Sequence, residues 1–132
     1  MKALTDIMLP DDRRYTDEHV WAQKDGEEVL VGISDYAQDQ LGEVVFVDLP
    51  EVGARFEAAA AFGTVESIKS VNELYMPVTG TVTAVNEALD DSPSLINVGC
   101  YDKAWIIRVA PDNPQDLDGL LTSPAYRSLL EQ

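Results

Sequence analysis

The stretch Gly63-Thr64-Val65-Glu66-Ser67-Ile68-Lys69-Ser70-Val71-Asn72-Glu73-Leu74-Tyr75-Met76-Pro77-Val78-Thr79-Gly80 reads as two short strands folded back on one another, with Lys69 near the bend. Val65 and Ile68 are β-formers on the first arm, and Val71, Leu74 and Tyr75 are the apolar positions of the second. Glu66, Ser67, Ser70, Asn72 and Glu73 make the tip polar, so Lys69 is expected to project into water. Pro77 removes a backbone donor, and Gly80 is expected to supply a left-handed turn that closes the second arm. Most exposed lysines only aid solubility. A lysine on a rigid, exposed hairpin also suits a carrier protein, because an enzyme can acylate the amine and later reach the attached group without unfolding anything.

Length and composition narrow the setting. A chain of 132 residues is expected to form one domain, spanning 1–132, with room for a core but not for separate cofactor-binding and catalytic domains. Its 45% hydrophobic content fits a globular chain, and no apolar run approaches the ~20 residues that cross a bilayer. The start, Met1-Lys2-Ala3-Leu4-Thr5-Asp6, shows no long apolar core of a secretory signal, so a cytoplasmic location is expected. Cys100 is the single cysteine and His19 the single histidine, which leaves no internal disulfide and no histidine-based metal cluster. A net charge of −15 argues against nucleic acid and anionic membrane surfaces. It serves solubility, or steers the protein toward partners with basic rims around their active sites.

Outward from the hairpin, residues 1–14 read as an irregular polar segment, followed by a strand from Tyr15 to Ala22 with His19 and Trp21 on one face. Asp25-Gly26 is a turn signal, and Glu28 to Ile33 is the returning strand. Ser34 reads as the N-cap of a short helix through Leu41, stopped at Gly42. Glu43 to Leu49 is the most hydrophobic strand and Pro50 ends it. Thr81 to Val85 alternates as a strand, Asn86 to Asn97 reads as an acidic loop, and Ala104 to Val109 as the last strand. Ser123, as N-cap, and Pro124 open a C-terminal helix over 123–131. Gly42-Glu43-Val44 through Val47 is echoed by Gly80-Thr81-Val82 through Val85, on either side of the lysine hairpin. The fold class expected is mainly β: a flattened barrel-sandwich hybrid of two small antiparallel sheets, with the hairpin at one end and two short helices.

Glu-Ser-Ile-Lys-Ser-Val over 66–71, followed by Leu-Tyr-x-Pro-Val-x-Gly over 74–80, resembles the lipoyl-lysine site of the H protein of the glycine cleavage system. The resemblance runs from Tyr15 to about Leu130 and includes Glu18-His19-Val20-Trp21, where the family has E-H-E-W. It implies lipoic acid joined by an amide to Lys69, with Glu66, Ser67, Ser70, Glu73 and His19 as neighbours of the arm. Glu73 matches an acidic position near the far end of the arm; the family's other carboxylate is replaced here by Val20. Tyr101 and Trp105 keep the family's aromatic places, whereas Cys100 stands where proline is common and reads as a small, inert hydrophobe.

The function implied is a carrier, without catalytic residues or a metal of its own. It would shuttle the aminomethyl group of glycine from a pyridoxal-phosphate glycine decarboxylase to a tetrahydrofolate-dependent aminomethyltransferase. A dihydrolipoyl dehydrogenase would reoxidise the arm, and a lipoate ligase or lipoyl transferase would attach it. The chain itself shows no Ser-His-Asp pairing, no phosphate loop and no carboxylate pair framed by a cleft. The alternatives are an H-like paralogue that relays lipoyl groups without glycine cleavage, a lipoyl or biotinyl domain of a larger complex, and an unmodified interaction module. Lipoyl and biotinyl domains are usually shorter and carry Asp-Lys-Ala or Met-Lys-Met, whereas Lys69 sits between Ile68 and Ser70.

Overall fold

Thr16 folds the chain sharply: its N–H donates to the Val20 carbonyl at 2.9 Å while its Oγ1 accepts from the Val20 N–H at 3.3 Å. The strand expected from Tyr15 to Ala22 is therefore split into β1 (Arg14–Tyr15) and β2 (Val20–Asp25), paired antiparallel with Tyr15 opposite Trp21. His19 lies in the turn at φ 69°, not in a strand. This computed structural model describes residues 3–131; Met1 and Lys2 of the expected irregular segment, and Gln132, lie outside the described residues.

Gly26, at φ 66°, makes the tight reversal to β3 (Glu28–Ile33), the expected returning strand with the expected limits, whereas β2 runs on to Asp25. Ser34 then caps α1 (Asp35–Leu41), its Oγ accepting from the Ala37 N–H at 3.2 Å. Gly42 ends that helix at φ 76°, where a side chain would be strained. β4 (Val44–Asp48) follows, then β5 (Arg55–Phe56), β6 (Ala61–Ser67), β7 (Val71–Tyr75) and β8 (Gly80–Val85). The segment expected as a loop holds two short helices, α2 (Ala88–Asp91) and α3 (Leu95–Gly99). β9 runs over Ile107–Pro111 rather than from Ala104. The Asn86 amide donates to the carbonyls of Lys103 (2.9 Å) and Trp105 (2.7 Å), which holds that approach outside the strand. α4 (Ser123–Leu130) closes the chain, capped by Thr122 rather than Ser123, with Thr122 Oγ1 accepting from the Ala125 N–H at 3.3 Å.

The architecture is mainly β, with two antiparallel sheets of unequal size. Six strands run in the order β1-β2-β3-β9-β8-β5, and three in the order β4-β6-β7. The two echoed segments, β4 and β8, lie in different sheets. Between the sheets is a core that includes Val31, Val44, Val47, Val65, Leu74, Val82, Ile107 and Val109, each at most 3% exposed. Burying one such aliphatic side chain is worth about 1.5–3 kcal/mol. A second cluster joins Tyr15, Trp21 and Tyr126, with Tyr15 stacked on Tyr126 at 4.8 Å, and it fastens α4 to the large sheet. Among the described residues no helix is long and apolar enough to cross a membrane.

Gly80 departs from expectation. Its backbone is not among those with positive φ. It is glycine because β9 passes close by: a Cβ there would stand 2.5 Å from the Ala110 carbonyl oxygen and 2.7 Å from Val109 Cγ1.

Candidate functional site

Ser67 organises the tip of the β6–β7 hairpin. Its side chain is buried, and its Oγ accepts from the N–H groups of Lys69 (3.1 Å) and Ser70 (3.2 Å). Its own N–H donates to the Ser70 carbonyl at 2.8 Å, so four residues are closed into one braced turn. Ser70 is exposed, and its Oγ accepts from the Asn72 amide at 3.0 Å. Glu66 is half-buried on β6, paired across the strand with Val71. The Ile68 N–H donates to the Glu43 carbonyl, tying the turn to the start of β4.

Lys69 is exposed, as expected, but its stem leans back over the end of α1. Nζ lies 3.5 Å from the Gln40 carbonyl oxygen, where a cation also meets the negative end of the helix. A Cβ on Gly42 would stand 3.1 Å from Lys69 Cε, so the helix stop also clears space for the lysine. Asn97 braces the α1–β4 junction below. Its amide donates to the Gly42 carbonyl (2.8 Å) and Gln38 Oε1 (3.1 Å), while its Oδ1 accepts from the Val44 N–H (2.9 Å).

Beside the turn opens a cleft of about 470 Å³ lined by Glu18, His19, Tyr36, Gln40, Ser70, Asn72, Glu73 and Tyr75, with Ile33, Leu41, Val65 and Leu74 at its apolar floor. The hairpin thus brings Ser70 and Glu73 to the same cleft as His19. The Tyr75 hydroxyl donates to Glu73 Oε2 at 3.0 Å, and that hydrogen bond pushes the phenol's pKa up. Val20 does not line the cleft; it is 1% exposed in the main core. A glutamate there would be buried among aliphatic side chains if this backbone were kept. The second carboxylate at the cleft is Glu18, two residues earlier.

His19 was expected beside Trp21; it packs instead against Tyr36 (4.9 Å) and Tyr126 (5.7 Å), measured between ring centroids. Its Nδ1 is 2.6 Å from the Tyr126 hydroxyl, which is itself 2.8 Å from the buried Ser34 Oγ. The three groups are satisfied when Ser34 donates to Tyr126 and Tyr126 donates to a neutral His19, leaving Nε2–H to point elsewhere. Burial lowers the His19 pKa below its ordinary value, against the weaker raising effect of Glu18 and Asp17. Because the folded value lies below the unfolded one, the contribution is full above pH ~6.5 and is lost as pH falls through the folded value. Unfolding by urea should therefore show a drop in stability below pH ~6.5 that His19→Gln removes. Identical pH profiles for the two proteins would contradict this assignment.

The sequence had singled out Lys69, Glu66, Ser67, Ser70, Glu73 and His19, and the structure groups them around one end of the molecule with different tasks. Ser67 is an internal brace and Glu66 faces the outer side of the small sheet. Glu18, Tyr36, Gln40, Gly42, Tyr75 and Asn97 were not assigned to the site by sequence reasoning. Of these Glu18 and Tyr75 lie within the motifs that carry the family resemblance, and Gly42 carried a local signal as the stop of α1. Cys100 is buried, and its carbonyl accepts from Trp21 Nε1 at 2.9 Å. Among the described residues no group of His, Cys, Asp and Glu is arranged to hold a metal ion.

Comparison with known proteins gives a consistent set of relatives. Residues 13–132 match the family model described as Glycine cleavage H-protein. The chain is 51% identical over 123 residues to the glycine cleavage system H protein of Geobacillus kaustophilus, covering 93% of this chain and 97% of that one. It is 47% identical over 126 residues to the glycine cleavage system H protein of Bacillus subtilis, covering 96% and 99%. A crystal structure of a glycine cleavage system H protein from Mycobacterium marinum superposes with a TM-score of 0.86 at 36% identity, covering 94% of this chain and 100% of that one.

Proposed function

The chain belongs to the glycine cleavage H-protein family, and from that premise we propose that it works as one lipoyl-carrying domain of a glycine cleavage system, with the lipoyl group on Lys69. It carries the aminomethyl group of glycine from the pyridoxal-phosphate decarboxylase to the tetrahydrofolate-dependent aminomethyltransferase. Dihydrolipoyl dehydrogenase and a lipoate ligase or lipoyl transferase are its other partners, and the cytoplasm is its place of work. The protein is a substrate of these enzymes rather than an enzyme itself. The paralogue that only relays lipoyl groups is not favoured by the relatives' names.

The residues present suit a lipoyl amide. Lys69 offers an exposed primary amine on a braced turn, with a partly apolar cleft immediately beside it. When bound, the dithiolane supplies the redox and group-transfer chemistry. Amide formation removes the charge that Lys69 holds against the Gln40 carbonyl and makes the formal net charge of −15 one unit more negative. The favourable contact with the end of α1 is lost with that charge, so the side chain is freed from its resting place.

Glu73 lies four residues beyond Lys69, across the end of the turn and into β7, so their backbones are no more than about 14 Å apart. A lysine stem plus lipoyl chain reaches roughly 14 Å. Glu73 and Glu18 therefore bring negative charge to the end of the cleft that a cargo ammonium reaches, and both favour its protonated form. Tyr36, His19 and the apolar floor narrow access by water on the other sides.

The observation that carries this reading is the exposed Lys69 turn beside a cleft holding Glu18 and Glu73. Its test is exchange of labelled bicarbonate into the carboxyl carbon of glycine, with lipoylated protein and the glycine decarboxylase of the same host. Exchange well above the carrier-free background is expected. Glu73→Gln should lower the rate about twofold to fivefold, the size of one partly exposed ion pair. Background exchange by protein whose lipoylation is confirmed by mass would overturn the glycine-cleavage role.

A further inference from the structure

The strand expected to be the most hydrophobic, β4, turns two consecutive apolar side chains outward. Val45 is 42% exposed and Phe46 53%. The cause is a break in the ladder: Val44 pairs with Ser67 and Phe46 with Glu66, so Val45 is an extra residue without a partner on β6. A bulge of this kind interrupts the alternation of faces and re-aims the side chains that follow. Phe46, Glu66 and Val71 then form one cross-strand row over the outer face of the small sheet, with Val71 61% exposed. Ile68, 70% exposed, extends this apolar ground to the residue before Lys69. Glu43, just before this strand, and Asp48 at its end are exposed and Glu66 sits in the row itself, so the apolar ground has an acidic surround.

We infer that this bulge-presented surface, Val45, Phe46, Ile68 and Val71, is the docking site for the enzyme that acylates Lys69. The inference rests on the lipoyl-carrier reading and deepens it by naming the partner's footprint. The partner's surface is apolar, framed by lysine or arginine side chains, and opens onto a site holding an acyl adenylate. Charge decides against a second copy of this chain, which would bring the same acidic surround and a net charge of −15 to the contact. Reach decides among the enzymes of the system. Those that act on the far end of the arm work roughly 14 Å from the Lys69 backbone. The acylating enzyme must instead bring Nζ itself into its active site, so the residues bordering the turn fall within its contact. In that step Nζ attacks the acyl carbon and the N–C bond forms. The acyl C–O bond to phosphate breaks, AMP leaves with the electron pair, and the nitrogen, an ammonium at the outset, gives up two protons to base and keeps the third as the amide N–H.

The test uses the full chain and the lipoate ligase of the same host, with lipoate and ATP, read by intact mass. Phe46→Ser and Val71→Thr should each lower kcat/KM for the carrier about tenfold, through KM, as loss of an apolar anchor at an interface does. Val52→Thr changes another exposed apolar residue, in the turn beyond the far end of β4, and should react like the parent. The second readout needs no acylation of the variant itself. Excess Lys69→Arg protein should inhibit modification of the parent, and Lys69→Arg combined with Phe46→Ser should inhibit at least several-fold less. Parental kcat/KM in both single variants, or equal inhibition by the two competitors, overturns the docking site and leaves the carrier reading intact. A parent that takes no acyl group at Lys69 removes the carrier reading itself and this inference with it. Unchanged circular dichroism and urea midpoint in the single variants separate lost docking from lost folding.

Discussion

Lys69→Arg protein leaves incubation with a lipoate ligase at its starting mass, while the parent gains one lipoyl group. The expected effect is complete, because a guanidinium stays protonated and is not a nucleophile at any pH at which the protein folds. The fold should be untouched. Lys69 is exposed, and the contact its ammonium makes is the 3.5 Å approach to the Gln40 carbonyl, which an arginine can replace. Lys24 does not substitute for it, since it lies within β2 with its backbone paired to Val29, one pair before the Gly26 reversal rather than at the bend. Lys103 follows α3 in a turn whose carbonyl is held by Asn86. Neither stands at the tip of a braced hairpin. A lipoyl mass increment on the Lys69→Arg protein would place the attachment elsewhere and remove the role given to the cleft.

Gly80→Ala should lower the stability of the folded chain by about 1–3 kcal/mol, the usual penalty of forcing an extra methyl into filled space. Gly80 opens β8 between two neighbours, facing Phe56 of β5 on one side and Pro111 of β9 on the other. The added Cβ would meet the Ala110 carbonyl oxygen at 2.5 Å, Val109 Cγ1 at 2.7 Å and Pro111 Cα at 3.0 Å. Two of these are backbone atoms held by strand pairing, so relief requires β8 and β9 to separate at this end. Lipoylation of Lys69 in the surviving folded fraction should be unchanged, because this contact lies in the large sheet and the lysine turn in the small one. A urea midpoint equal to that of the parent would show that the strands have room to spare.

The reason for that glycine marks a boundary between two kinds of information. Read locally, Pro77 followed by Gly80 signals a turn, and a turn would need positive φ. The actual constraint comes from Ala110, thirty residues away, and depends on a strand pairing that no neighbouring residue announces. Val20 makes the same point from the other side. Its match to a glutamate in the family placed it at the arm, whereas the fold at Thr16 turns it into the core and leaves Glu18 at the cleft.

What the sequence determined by itself were the features whose causes lie within a few residues. The hairpin with Lys69 at its bend follows from β-formers on two arms and polar residues between them. The reversal at Gly26, the Ser34 cap and the stop at Gly42 follow from backbone conformations that those residue types favour, and β3 and α1 have the expected limits. Tertiary structure decided everything that depends on register between distant segments. The bulge that exposes Val45 and Phe46 exists only in relation to β6, and alternation read along one strand cannot reveal an unpaired residue. The cleft joins Glu18 and His19 before β2, Tyr36 on α1 and Glu73 on β7, and Asn97 reaches the junction beside it from α3. Spacing along a chain carries no record of such meetings, because they are set by how two sheets pack and by which buried donors must find acceptors.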